Sequence, residues 1–317
     1  MLSLPQTYAT IAKARGRFLA LIGILIFLSA AKTHATQTQT QTQTQTQTQT
    51  QTQTRMIRYP SAGENFIEHH AYPIALLSLA LEKSEQNLRL TPSEKFMHQG
   101  RALKQLEAGQ DIDVLWTMTS KTREQELIPI RIPIYKGLIG WRVFLSSRKD
   151  VINASNALSL EQVKSLSTIQ GHDWPDTHIL KHNGFNIQNS PSYAGLFTML
   201  ALQRADLFPL SIIEVWDELR KFEADGIGLE QHTLISYPSA SYFFVSPNNT
   251  ALAMQVENGL RKAIRDGSFE ALFQQHFASA IKKAKTSSRT HYRLENPLLP
   301  EMTPTHDKAL WFMPNQH

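Results

Sequence analysis

Between residues 55 and 280, short apolar or β-branched runs alternate with longer segments of helical periodicity, and this alternation limits the fold more than any other feature. Strand, helix, strand, helix, strand in succession implies a mostly parallel sheet with helices on its faces, an α/β architecture. Residues 56–59 read as the first strand, closed by Pro60, Ser61 and Gly63. Pro73 opens a helix with Ile74, Leu77 and Leu81 at i, i+3 and i+7. Residues 87–90 are extended, 93–108 form a helix stopped by Gly109, and 112–116 form a buried strand. Pro129 and Pro133 exclude 128–134 from the centre of a sheet and mark an extended surface segment. Residues 138–145 are strand-like and lead into a polar stretch over 146–159.

A second series follows. It comprises a strand at 168–170, a helix at 174–182 stopped by Asn183-Gly184, and an extended segment at 185–188. A helix at 193–203 comes next, then an extended segment at 205–208 and an amphipathic helix carrying Ile212, Val215, Leu219 and Phe222. Residues 242–245 return to strand. Leu252, Val256, Leu260 and Ile264 give a long helix ended by Asp266-Gly267, and 269–277 add a short one. Residues 281–317 lose the periodicity and read as a poorly ordered tail, whose Trp311, Phe312 and Met313 are candidates to dock on the body.

Upstream, Lys13, Arg15 and Arg17 precede an apolar run over 18–28 and the small residues Ser29, Ala30 and Ala31. This is the pattern of a secretory signal over 1–35, with cleavage after Ala35 or Ala31. The alternative, a permanent anchor, wants about 20 apolar residues, and Lys32 interrupts the run before that length. The expected location is therefore the periplasm. Residues 36–54 repeat Thr-Gln without a break. Both faces of such a segment are polar, so nothing repays the entropy of ordering it. It reads as a disordered tether; cross-β self-association is the rival reading.

The 317 residues leave room for about two domains. The chain has no cysteine, which excludes disulfides, thiolate nucleophiles and Cys-ligated metals. Its net charge of +5 suggests nucleic acid, but Lys13, Arg15, Arg17 and Lys32 supply four of those charges. Beyond residue 35 the balance is 28 basic against 27 acidic residues, which gives no electrostatic case for DNA or RNA.

Catalytic motifs are missing from the sequence. It contains no Gly-x-Ser-x-Gly elbow, His-Glu-x-x-His pair or P-loop, and Gly226-Ile227-Gly228 lacks the third glycine of a dinucleotide fingerprint. No enzyme activity, cofactor or metal is expected. His178 and His182 at i, i+4 could chelate a metal, but solvated histidines on an exposed helix account for them as well.

Three constellations remain. Trp116, Thr117, Thr119 and Arg123 lie on and beyond a buried strand, where open α/β sheets bind ligands. They offer an aromatic plate, hydroxyls and a guanidinium able to grip a carboxylate in a fork. The plain alternative is an ordinary polar loop. His172, Asp173 and Trp174 belong to a second strand-to-helix turn, 171–177, whose free amides favour an anion; alternatively Asp173 or Asp176 simply caps the helix. Arg204-Ala205-Asp206 enters a strand and reads either as part of a site or as a structural charge.

These segments together resemble the bacterial solute-binding proteins of family 3, the type II periplasmic binding proteins that serve polar amino acid ABC importers. The resemblance is carried by 101–123 with Leu106, Gly109, Asp113, the Thr-rich loop and Arg123, and by 171–177. It continues through Arg204-Ala205-Asp206 and 260–277 with Asp266-Gly267-Ser268-Phe269. It covers roughly residues 55–280. It implies two α/β lobes joined by two crossovers, near Gly140 and 239–242, with lobe 1 at 55–140 plus 239–280 and lobe 2 at 141–238.

The resemblance also implies a small-molecule ligand in the cleft, with Arg123 on its carboxylate, Thr117 and Thr119 assisting, and His172, Asp173 and Trp174 contacting it from lobe 2. The partner would be an ABC permease or a membrane-bound sensor, and the protein a monomer. A cleft enzyme of the same fold is the remaining alternative. Where amino-acid binders often place an acid for the ligand ammonium, five residues beyond Asp206, this chain has Ser211; Glu214 is the acid available from the following helix.

Overall fold

The structure, a computed structural model, describes residues 54–62, 67–84 and 86–313. The export signal and, apart from Thr54, the Thr-Gln tract lie outside the described residues.

The body begins with β1 (Arg55–Ser61), α1 (Ile67–Lys83), β2 (Leu88–Phe96), α2 (Gln99–Glu107), β3 (Val114–Met118), α3 (Lys121–Glu126) and β4 (Ile128–Ile130). A second set follows: β5 (Trp141–Ser146), α4 (Lys149–Ile152), α5 (Leu160–Ser165), β6 (Ser167–Gly171), α6 (Pro175–His182), β7 (Asn186–Ser190), α7 (Tyr193–Ala201), β8 (Phe208–Ser211), α8 (Val215–Phe222), β9 (Gly228–Leu229) and β10 (Thr233–Ser236). The chain then returns to the first set with β11 (Ser241–Val245), α9 (Thr250–Arg265) and α10 (Ser268–Ala284), and ends on β12 (Thr290–Arg293).

In the first lobe β1 and β2 pair in parallel, and β11 lies between β3 and β4, antiparallel to both. Asp113 ties the two sheets together. Its amide donates to the Arg58 carbonyl, and its carboxylate accepts from the Arg58 amide and guanidinium. In the second lobe β5 is flanked by β8 and β10, both antiparallel, while β6 and β7 pair in parallel and a bridge from Thr168 to Leu207 brings β6 alongside β8. The lobes are thus α/β with mixed sheets. Antiparallel pairs enter wherever the chain comes back across a lobe boundary, because no helical crossover precedes β5, β10 or β11.

Two crossovers join the lobes: the segment from β4 to β5, and the four residues between β10 and β11. They touch at Gly140, where an added Cβ would lie 2.2 Å from the Tyr237 carbonyl oxygen. Only glycine lets the two strands of the hinge run this close.

Several sequence expectations are corrected. Pro73 lies inside α1, six residues after its start, because the burial of Tyr72, Leu76, Leu77 and Ala80 outweighs the backbone bond that proline forfeits. Residues 93–96 continue β2, and the helix begins at Gln99. The 128–134 segment is an edge strand and its continuation, but Ile130, Ile132 and Ile134 are buried rather than on the surface. The tail is not loose over 281–313. Its β12 adds to β10 in parallel, and Leu294, Thr303 and Phe312 are buried.

Candidate functional site

The pleat of β3 sends Leu115 to one face and Val114 and Trp116 to the other; Val114 and Leu115 are buried, while Trp116 stays half-buried and lines the space between the lobes. The His70 ring meets Trp116 edge-on at 4.9 Å, and Phe243 meets it edge-on at 6.4 Å. Beyond it, Thr117 donates to Gln99 Oε1 at 3.0 Å. Arg123 lies behind this pair. Its Nη1 donates to Thr117 Oγ1 at 2.8 Å and to the Met118 carbonyl at 2.6 Å, and its Nη2 to Gln99 Oε1 at 2.6 Å. All three acceptors are neutral. Burial pushes the guanidinium pKa down to about 10, against the more distant attraction of Asp173, Asp176 and Glu126.

From the second lobe come Arg142 on β5, Asp176 in the first turn of α6, and Glu214 just before α8. Arg142 pairs with Asp176 at 2.6 Å, and the Tyr237 hydroxyl donates to the same carboxylate oxygen. Burial works against the Arg142 charge, but the Asp176 carboxylate more than offsets it and holds the pKa above its ordinary value. Arg142 Nε has no hydrogen-bond partner. Glu214 is half-buried and opens on the cavity, yet protein surrounds it deeply enough for desolvation to raise its pKa, with His69 and Arg142 pulling the other way.

Across the lobes, His69 on α1 and Glu218 on α8 approach to 2.9 Å. Burial lowers the His69 pKa, but the Glu218 carboxylate outweighs it and leaves the net shift upward. Next to it, burial and the His69 charge push His70 down to about 4, and its Nδ1 is buried without a partner.

A cavity of about 240 Å³ lies between the lobes, walled on one side by His70, Trp116 and Thr117 and on the other by Arg142, Asp176 and Glu214. A larger cavity of about 550 Å³ shares His70, Gln99, Trp116, Trp174 and Tyr193 with it. Its other walls include Met97, Leu115, Leu196 and the 172–173 turn.

Trp116, Thr117, His172, Asp173 and Trp174 therefore meet around one cleft. Arg123 lies one layer back, gripping the residues that line the cavity rather than lining it. Thr119 is corrected: it is fully buried, its amide donates to the Ala240 carbonyl, and its hydroxyl donates to Glu124 Oε1 at 2.7 Å. It helps shape the start of α3 and lies in neither cavity wall. Ser211 likewise faces inward, donating to the Leu138 carbonyl, and Glu214 is the acid that reaches the cleft. Asp206 accepts from the amide and hydroxyl of Ser167 and from Arg148, so Arg204-Ala205-Asp206 is structural. His178 is exposed, and His182 lies 3.6 Å from Glu295.

His70, Gln99, Arg142 and Tyr193 were not legible as site residues. Each reaches the cleft from an element outside the Thr-rich loop, and none belongs to a local motif. An arginine inside an apolar strand, Arg142 in Trp-Arg-Val-Phe-Leu, was the one available signal.

No family model matches the chain, and a search of curated proteins finds no match. Solved structures do match. A histidine kinase sensor domain with similarity to periplasmic binding proteins aligns with a TM-score of 0.52 at 13% identity, over 71% of this chain and 96% of that one. An ancestral arginine-binding protein bound to glutamine gives 0.53 at 14%, over 70% and 97%. A probable amino-acid ABC transporter extracellular-binding protein from Bacillus subtilis gives 0.52 at 17%, over 71% and 97%. The chain has the periplasmic-binding-protein fold. This is the fold that the resemblance drawn from its sequence implies.

Proposed function

We propose that the chain is a periplasmic solute-binding protein that closes its two lobes on a small, amino-acid-like molecule. The observation that carries this reading is the interlobe cavity, to which each lobe brings polar groups left incompletely satisfied. His70 Nδ1 in lobe 1 and Arg142 Nε in lobe 2 are buried without partners among the described residues. Arg123 is held by neutral acceptors alone, and the Glu214 carboxylate makes no hydrogen bond among the described residues. A buried polar group without a partner costs about 1–3 kcal/mol, which a ligand with complementary groups would recover. Gln99 and Thr117, backed by the positive charge of Arg123 behind them, suit a carboxylate, and Glu214 suits an ammonium.

An ABC permease is the proposed partner of the loaded protein. The sensing alternative, with a membrane-bound regulator as partner, draws on the likeness to a histidine kinase sensor domain. The test is a thermal-shift screen of the purified protein against amino acids, organic acids and polyamines. A ligand at 100 times its Kd stabilises by about 2.7 kcal/mol, and the absence of any shift across the three classes would refute solute binding.

A further inference from the structure

We infer that the ligand carries a flat aromatic body, sandwiched between Trp116 of lobe 1 and Trp174 of lobe 2, with an amine directed at Glu214. This rests on the reading of the cleft as a solute site and names the class of solute.

The two cavities share five lining residues; Arg142, Asp176 and Glu214 line the smaller, and the larger sets apolar side chains beside Arg101 and Asp173. Phe96, Met97, Leu115, Pro191 and Leu196 wall the larger cavity. Phe96 remains 46% exposed there, a large apolar side chain lining the cavity with the His98 ring edge-on to it at 5.0 Å.

Each lobe sets one tryptophan at the junction of the two cavities, and each ring is fixed. Trp116 is held by the edge contacts with His70 and Phe243. Trp174 lies over Gly171, where an added Cβ would come within 2.5 Å of the indole, and it stacks on Phe208 with 21° between the planes. Tyr193 flanks it at 6.1 Å. Both rings line both cavities, one from each lobe, so a flat group at the junction would meet an indole on either side. Aromatic pairing adds about 0.5–1.5 kcal/mol beyond burial of the 150–250 Å² an aromatic group hides. In the smaller cavity Glu214 is the one lining carboxylate without an ion-pair partner among the described residues, whereas Asp176 is matched by Arg142. An amine at the end of the aromatic body meets it.

Calorimetry on the full chain with L-phenylalanine, phenethylamine, phenylacetate, L-arginine and L-serine tests this. Phenethylamine and L-phenylalanine should bind more tightly than the other three. Trp116→Ala and Trp174→Ala should each weaken them about tenfold, from the stacking and burial lost. Trp116→Phe, which keeps a ring, should retain most of the affinity and shows that any loss is not misfolding. Glu214→Gln should weaken phenethylamine and leave phenylacetate unchanged. If L-arginine or L-serine binds at least as tightly as the aromatic amines, the aromatic body is overturned while solute binding stands. If none of the five binds and a wider screen also fails, both readings fall.

Discussion

Arg123 illustrates how a single residue can be read correctly by type and incorrectly by position. Its spacing after a buried strand marks a guanidinium near the cleft, and it is there, but its three hydrogen bonds go to Thr117, Met118 and Gln99. Because these bonds are internal, Arg123→Ala should destabilise the protein by about 1–3 kcal/mol and also weaken ligand binding, by freeing Thr117 and Gln99 to turn away. Arg123→Lys should restore neither, since one ammonium cannot reach all three acceptors as the planar fork does. Denaturant melts with calorimetry check this; intact stability in Arg123→Ala would mean that the three bonds contribute nothing.

His70 makes a second prediction at the same scale. Folding moves its pKa from about 6.5 in the unfolded chain to about 4, through burial first and the neighbouring His69 second. The unfolded chain therefore holds a proton that the folded one refuses, and stability falls as pH drops from about 6.5 toward 4. His69 opposes this: its raised pKa contributes stability below the unfolded value that is lost as pH rises through the folded one. Arg142, Asp176 and Glu214 line the same cavity and set the background charge. His70→Gln should flatten the acid side of the profile, read as Tm between pH 7 and pH 4.5. Equal slopes in both proteins would assign the acid loss to other groups.

Among the elements, periodicity found the helices better than it found the strands. Leu252, Val256, Leu260 and Ile264 announced α9, and Asp266-Gly267 ended it, Gly267 adopting φ +80°. By contrast β9, β10 and β12 went unread. They are two to four residues long and are strands only because β5 and β10 supply partners far away in sequence. Pairing partners are not encoded locally. The same blindness hid Gly259. It faces α1 at a close helix contact, where an added Cβ would sit 1.9 Å from the Ala80 carbonyl oxygen. Gly259→Ala must push α1 from α9, and overpacking of this kind costs typically about 1–3 kcal/mol or more. Since α1 carries His69 and His70 to the cleft, the variant should lose ligand affinity along with stability. A melt and a binding isotherm on one preparation would show both losses, and an unchanged melting temperature would mean the helices part freely.

At the scale of the whole molecule, the C-terminal segment changes how the two lobes are connected. Two crossovers were expected, and 294–313 forms a third passage between the lobes. From β12 in the second lobe, the Leu294 amide donates to the Ser236 carbonyl, and Asn296 reaches the Pro238 carbonyl beside the second crossover. Leu298 then accepts from the Lys121 amide in the first lobe. Finally the Phe312 amide donates to the Lys136 carbonyl, while Trp311 lies against Gly137, where a Cβ would meet its ring at 2.5 Å. Phe312 also meets Trp141 edge-on at 5.7 Å, so the segment covers the first crossover on its way. Sequence patterning missed this because the strap has no period, only a few apolar residues spaced to fit a hinge. Deleting 294–317 leaves β12 in place and removes the burial of Leu294, Trp311 and Phe312. At roughly 1.5–3 kcal/mol per large apolar side chain and about 2–4 °C per kcal/mol, Tm should fall by at least about 5 °C. A strap that also restrains the hinge should have a second effect. The ligand-free truncated protein should show a larger radius of gyration by small-angle scattering than the full chain, and a saturating ligand should bring the two together. A lower Tm with identical radii would make the segment a cover for the hinge and not a restraint on it.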